Sequence, residues 1–492
     1  MPEHVPACRG STRMKIDARH YCLALLAFGW QVQAAAQQLM QPAAVASAPT
    51  QQSGYVDLLG GLAYTDNARL SSSHRTSDGI AIAGLNTNYQ RTGELSLNLL
   101  GNLARIQYLQ GAYAGSFYGQ FFGSGVLGKP TDFLQWQLSD AFGEEMTNPL
   151  ESPTPQNLQT INNVATGPLL NFYFGFTNRL TLSGVYSRTT YERSPFDSQT
   201  YQGGAQFQHT LPGASTISLY ASTAHTTYID SAAVRSYFSG ATAYDIRQAS
   251  VSYKARYVRT RILLTMGYNI LQYGGAPTHG APLYRVRLSR QISPFSKVFI
   301  GGGQAYSTNG ASLESSGARA GLQLGASLNA GYAVAQPFNE RSADVGWIFQ
   351  RARTSLTVSG NYRQELFGQT SVNHQFDHRD EGAVIILERQ LRPRLSVRLR
   401  AQGYWQDYSQ LSAQTRREDV QLSFSKRLAK TMIWFYVERI HQSGVPGNSG
   451  FFAASYNDDR VGIYLTYDLF GERPMLSSSQ EMLGMSEFTG GY

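Results

Sequence analysis

The chain has 492 residues, among them 48 Gly, 30 Tyr and 24 Phe, and only 15% of its residues are charged. Soluble domains carry about a quarter charged residues, so this mixture argues against a soluble helical enzyme and for tightly turned, aromatic-rich sheets. The net charge of +8 contains no Lys/Arg tract, which leaves no nucleic acid among the expected partners.

Residues 1–36 read as a secretory signal peptide, with Met14 as an alternative start. Lys15 and Arg19 precede the apolar run 21–30, and Ala34-Ala35-Ala36 supplies a cleavage site of the A-x-A kind. A membrane-spanning helix needs about 20 apolar residues, twice what this run offers. Removing the leader takes away Arg9, Arg13, Lys15 and Arg19 together with Glu3 and Asp17, which leaves a mature charge of +6. Cys8 and Cys22 leave with it, so no disulfide and no cysteine metal site is expected, in keeping with passage through an oxidising periplasm. Residues 37–53 are mostly Gln, Ala, Pro and Ser and read as a flexible periplasmic lead-in.

From Tyr55 onward one theme repeats: a strand, a short turn, a second strand, a longer polar loop. Short turns fall at 91–93, 128–132, 177–179, 211–215, 259–261, 293–296, 351–354, 391–394 and 428–431, several with Pro at the bend. Long connections fall at 66–78, 143–166, 231–244, 308–341, 368–380 and 444–457. This asymmetry is the one bacterial outer-membrane barrels show. The expected fold is all-β: a single transmembrane antiparallel up-and-down β-barrel of about 20 strands (roughly 18–22) over residues 54–470, with short periplasmic turns and long extracellular loops.

Alternation within the strands supports it. Leu134, Trp136 and Leu138 alternate with Gln135, Gln137 and Ser139, and Leu356, Val358 and Tyr362 with Thr357, Ser359 and Arg363. The polar face is Gln, Asn, Ser and Thr rather than Lys and Glu, which suits a lumen better than the outside of a soluble sandwich. Segments 95–108 and 432–441 show no clean parity, and a bulge is the expected cause. The last strand, 460–470, puts Val461, Ile463, Leu465, Tyr467 and Leu469 on one face. Its Arg460, Gly462, Leu465 and Tyr467 resemble the C-terminal insertion signal of Gram-negative outer-membrane barrels. The strand is expected to pair with the one beginning near Tyr55, removing two free edges, and residues 471–492 are left as a periplasmic tail.

On this face assignment the lumen carries the basic residues Lys254, Arg256, Arg285, Arg287, Arg363, Arg398, Arg400 and Arg427, and the acids Glu94, Asp344, Glu388 and Asp468. Two readings stand. Rings of Arg and Lys favour anions, so that the lumen conducts or guides an acidic polymer, or the arginines form lateral ion-pair ladders with Glu388 and Asp344 that stiffen the wall. A circle of about 20 strands is roughly 40 Å across, too wide to be filled by wall side chains alone. Segment 308–341, with Leu322, Leu324, Leu328 and Val334, is either a plug or one more wall hairpin. Catalytic signals are weak: His374 and His378 lie in a loop rather than on a helix, Ser71 to Ser73 before His74 have no nucleophile elbow, and Gly301 to Gly303 precede no helix. No enzyme activity, cofactor or metal is expected.

Tyr64-Thr65-Asp66-Asn67-Ala68-Arg69-Leu70, then Ser77-Asp78-Gly79-Ile80 and the strand pair through Tyr108, resemble a Gram-negative family of porin-like β-barrels associated with exopolysaccharide export and PEP-CTERM systems. The resemblance covers about residues 55–110. It implies an integral outer-membrane conduit for a polysaccharide, working with a periplasmic polysaccharide export protein and an inner-membrane synthesis complex; outer-membrane lipid and the barrel assembly machinery are the other expected partners. A general or solute-specific porin and a structural or adhesive barrel with a closed lumen are the alternatives.

Overall fold

The computed structural model describes residues 51–237, 243–274, 278–311, 336–367, 374, 377–445 and 453–469. The expected leader, most of the lead-in and the tail lie outside them. Twenty strands account for nearly all of the described chain. In chain order they are β1 Gln51–Thr65, β2 Asp78–Thr92, β3 Leu95–Tyr108, β4 Ser116–Leu127, β5 Leu134–Met146, β6 Leu158–Phe174, β7 Asn178–Tyr191, β8 Ser198–Leu211, β9 Ser215–Tyr228 and β10 Ala243–Arg256. There follow β11 Thr260–Tyr273, β12 Thr278–Ser293, β13 Ser296–Ser307, β14 Phe338–Arg351, β15 Thr354–Phe367, β16 His378–Arg392, β17 Leu395–Tyr408, β18 Ala413–Leu428, β19 Thr431–Val445 and β20 Tyr456–Asp468. A short helix, α1 Ser231–Tyr237, sits between β9 and β10.

Each strand pairs antiparallel with its chain neighbours, and β1 pairs with β20 from Asp57 opposite Asp468 to Thr65 opposite Arg460. The sheet is therefore a closed barrel without a free edge, as the sequence led us to expect. All nine short turns fall within two residues of their expected places. No helix among the described residues is long and apolar enough to cross a membrane; the crossing is made by strands.

Side-chain alternation sets the two surfaces. On β20, Ile463, Leu465 and Tyr467 are about half exposed on the outside, while Tyr464, Thr466 and Asp468 are buried inside. The same exterior continues through Leu62, Leu219, Val251, Met266, Val345 and Val420. Aromatic residues border it toward the loops (Tyr64, Tyr268, Tyr284) and at the turns (Tyr173, Phe174, Tyr257, Phe295). A continuous apolar belt of this size is unfavourable in water and matched to lipid.

Two expectations are corrected here. No bulge interrupts β3 or β19, whose pairings run in continuous register; the irregularities lie beside turns, at Gln291/Ser293 and Gln390/Arg392. Segment 308–341 adds no wall hairpin, because β13 and β14 pair directly from Ser296 opposite Phe349 to Ser307 opposite Phe338. Of the plug reading, residues 312–335 lie outside the described residues.

Candidate functional site

The lumen is organised by a segment that the sequence presents as an ordinary surface loop. β5 pairs with β4 only from Leu127 opposite Trp136 up to Phe121 opposite Phe142. Beyond Phe142 it leaves β4 but keeps β6 as partner to the end, Met146 opposite Leu158. The top of the β5–β6 hairpin thus bends into the barrel, and both its faces become buried: Glu144, Glu145, Leu158 and Gln159 are each at most 4% exposed.

Its connection, residues 147–157, crosses the lumen as a strap. Leu150, 1% exposed, packs with Tyr408, Leu411 and Ala413 at the β17–β18 end, on the far side of the mouth. The Leu150 carbonyl accepts from the Ala454 amide at 2.9 Å, and the Ser152 hydroxyl donates to the Leu70 carbonyl at 2.8 Å. Asn157 ties the base of the strap: its Oδ1 accepts from the Thr147 hydroxyl and the Asn148 amide, and its Nδ2 donates to the Asn148 and Ser152 carbonyls. Arg193, from the β7–β8 loop, holds the Pro155 and Gln156 carbonyls. Thr154 hydrogen-bonds Tyr113 in the β3–β4 loop, where burial raises the phenol's pKa and the hydrogen bond opposes the rise.

Beneath the strap the inner wall is apolar. Leu59, Ile80, Ile82, Ile106, Tyr118, Trp434, Tyr436 and Tyr464 form one cluster with Leu158 from the hairpin. Only about 40 Å³ of cavity remains between Pro153 to Pro155 and this wall, room for a water or two and no solute. The covered wall also explains the missing parity: the inner faces of β3 and β19 carry Leu100, Ala104 and Ile106, and Trp434, Tyr436 and Ile440, so both faces of these strands are apolar. A second intrusion comes from the β13–β14 connection, where Asn309 Nδ2 donates to Glu145 Oε2 at 2.7 Å.

The charged residues separate into two groups. On β15–β20 they are paired: Arg398 with Glu388 at 3.3 Å, Arg400 with Asp419 at 3.0 Å and Glu438 at 3.5 Å, and Arg363 with Glu365 at 2.7 Å and Glu340 at 3.3 Å. Arg398 also lies over the Trp434 ring, 5.1 Å from its centroid. The ladder reading describes these arginines, with Asp419, Glu438, Glu340 and Glu365 as the partners that sequence reasoning missed. Asp344 instead lies over Gly301 on the next strand, in space that a β-carbon there would fill. Arg427 and Asp468 face inward on β18 and β20. On β10 and β12, Lys254, Arg256, Arg285 and Arg287 also face the lumen, and Lys254 and Arg256 are water-exposed.

Glu94 does not line the pore. It sits exposed in the β2–β3 turn, 3.0 Å from Lys129, because the turn ends one residue later than its spacing implied. The hydrogen bond and attraction of Glu94 raise the Lys129 pKa. The expected insertion signal divides between the faces: Leu465 and Tyr467 point to lipid, while Arg460 and Gly462 point inward. Arg460 is held by Asp458 at 2.6 Å and Glu438 at 3.9 Å. A β-carbon on Gly462 would stand 2.5 Å from the Tyr436 ring, so glycine there makes room for that aromatic.

Thr65, Asp66 and Asn67 fasten the seam of the barrel. The Thr65 hydroxyl donates to Asp458, Asp66 Oδ1 accepts from the Asp459 amide at 2.8 Å, and Asn67 Nδ2 donates to the Asn457 carbonyl at 2.7 Å. His378 lies within 3.8 Å of Glu365 and 3.5 Å of Asp380, and His374 within 2.7 Å of Asp377. No group of three or more His, Cys, Asp or Glu among the described residues could hold a metal ion.

A closed 20-stranded antiparallel barrel with an apolar outer belt defines this chain as a Gram-negative outer-membrane β-barrel. No protein-family model and no curated protein matches it. Among solved structures it is similar to the ferric enterobactin receptor PfeA in complex with BCV-L6, at 10% identity and TM-score 0.45, over 85% of this chain and 82% of that one. It is also similar to the FrpB iron transporter of Neisseria meningitidis, at 9% identity and TM-score 0.44, over 85% and 83%. The siderophore receptor PirA of Pseudomonas aeruginosa follows at 12% identity and TM-score 0.37, over 85% and 81%. What is shared is a large antiparallel barrel, and the cargo of those proteins is not carried over to this chain.

The expectation of an exopolysaccharide conduit is corrected. The three similar structures named above are iron or siderophore receptors or transporters by name. Within the molecule, the lumen that was to thread a polymer is crossed by the strap, and three of the arginines that were to guide it are neutralised by wall acids.

Proposed function

We propose that the protein is a non-enzymatic outer-membrane channel for small hydrophilic solutes, narrowed by the β5–β6 strap to the side of the lumen lined by β7–β13. One observation carries this reading: toward the turns the inner wall opposite the strap-covered cluster is polar or cationic, with Lys254, Arg256 and Arg261 exposed to water, while the apolar cluster of Tyr228, Val234, Tyr244, Leu271 and Tyr273 lies nearer the loops. Along β8 and β9 that wall continues through Gln202, Gln206, Gln208, Ser218 and Ser222. Such a surface binds solutes weakly and lets them leave, as conduction requires.

The test is current through planar bilayers. Reconstituted protein should conduct, and replacing residues 148–156 with a short Gly-Ser turn should raise single-channel conductance several-fold. Protein that inserts but stays silent in both forms would overturn the channel reading.

A further inference from the structure

The periplasmic end of the lumen holds a cluster that neither the fold nor the strap requires. Between residues 246 and 313 the chain carries nine Lys or Arg and no Asp or Glu. That composition spans β10–β13, and its register sets Arg256 directly opposite Arg261, Arg261 opposite Ser289, and Gln291 opposite Lys297. Like charges directly opposite each other destabilise a sheet. Elsewhere in this barrel arginines stand beside acids, as Arg400 does with Asp419 and Glu438; on β10 the acid, Asp245, stands at the loop end beside His225 and away from this cluster.

These residues line a cavity of about 260 Å³. Four cations surround it, Arg256, Arg259, Arg261 and Lys297, and no Asp or Glu among the described residues does. Ser289, Gln291 and Gln350 add neutral donors on the lumen side of the same wall. The frame is built rather than loose. The Tyr257 amide donates to the Thr260 carbonyl at 2.8 Å, the Gln291 amide to the Arg259 carbonyl at 2.8 Å, and the Gln350 amide to the Phe295 carbonyl at 2.7 Å. Guanidinium groups present paired donors whose geometry matches oxyanions, and a pre-ordered frame lowers the entropy lost on binding. The volume is below the roughly 300–1,000 Å³ of sites for drug-sized ligands, which selects a compact ligand over a polymer.

We propose that this cavity is a binding site for a small, multiply charged oxyanion, a phosphate or a phosphorylated small solute, at the periplasmic mouth of the lumen. It deepens the channel reading and rests on it for its role in transport, though not for binding itself. Bound there, the anion would relieve the repulsion between Arg256 and Arg261 and be released toward the periplasm.

The experiment uses the full chain in detergent, with labelled inorganic pyrophosphate in equilibrium dialysis. Saturable binding is expected, weakened at least tenfold in the triple variant Arg256→Gln/Arg261→Gln/Lys297→Gln and unchanged in Lys129→Gln, a cation on the same rim outside the cavity. Circular dichroism and thermal unfolding confirm that each variant is folded; if the triple variant does not fold, Arg259→Gln alone, in the turn, is expected to weaken binding several-fold. Absence of saturable binding by the parent, or binding by the folded variant within twofold of the parent, overturns the site. In bilayers, pyrophosphate on the periplasmic side should reduce the chloride current of the parent and not of the triple variant. A parent that binds but carries no current overturns the channel and leaves the site, whereas current without binding overturns the site alone.

Discussion

The two walls of the lumen are made from the same kind of strand and end in different environments. The wall of β1–β4, β19 and β20 lies beneath the strap, is apolar near the loops, and buries Arg460 against Asp458 and Glu438. The wall of β10–β13 is exposed to water at its turn end, at Lys254, Arg256 and Arg261, while nearer the loops its inner face is buried, with Tyr244, Leu271 and Tyr273 in an apolar cluster. A side chain pointing inward is therefore not in itself pore-lining. Where the strap lies on it, burial forces apolar packing or charge pairing, since an isolated buried charge is costly. Where water remains, cations are tolerated and their field stays available to a solute.

This contrast is open to direct attack. Glu438→Ala removes the acid shared by Arg400 and Arg460, and should cost about 3–5 kcal/mol in urea unfolding from lipid vesicles, as expected when a buried pair loses one partner. A change below ~1 kcal/mol would mean that water reaches this wall. Leu150→Ala empties the strap's anchor among Tyr408, Leu411 and Ala413. Anchoring should weaken by about 2–5 kcal/mol, read as protease cleavage within residues 147–157 while the barrel stays intact. Asn157→Ala strips the base of the strap of its hydrogen bonds, and a loss of about 1–3 kcal/mol should appear as noisier open-channel current. Smallest in stability is Lys254→Gln on the watery wall, within about 0.5 kcal/mol, yet it should shift the reversal potential in a salt gradient toward cations. If Lys254→Gln proved as destabilising as Glu438→Ala, the two walls would not differ as described.

Much of the barrel was legible because lipid imposes a simple rule. Every backbone group must pair within the sheet, and every second side chain must be apolar. Turns at Pro212, Pro294 and Pro393, and alternation such as Leu134-Gln135-Trp136-Gln137, followed from that rule alone. The inward direction of Arg285, Arg287, Arg398 and Arg400 was legible for the same reason. Their partners were not. Glu438 stands on β19, whose two apolar faces hid its parity, and Asp419 pairs with Arg400 two residues out of direct register, where Gln421 stands opposite. Residues 143–166 read as a polar surface loop, yet their ends are strand and their centre the strap. Only Leu150, Pro153 and Pro155 hinted at a packed segment, a signal too short to separate from a loop.

The sequence by itself determined the barrel, its approximate strand count, the outer face and the asymmetry between turns and loops, since these depend on neighbours one or two residues apart and on a uniform apolar solvent. Only the tertiary structure decided which inner wall is covered, which arginines are neutralised and where a cationic cavity stays open to water. Those outcomes depend on Leu150 meeting Tyr408 and Glu145 meeting Asn309 across the lumen, contacts between residues more than 150 positions apart that no local pattern encodes.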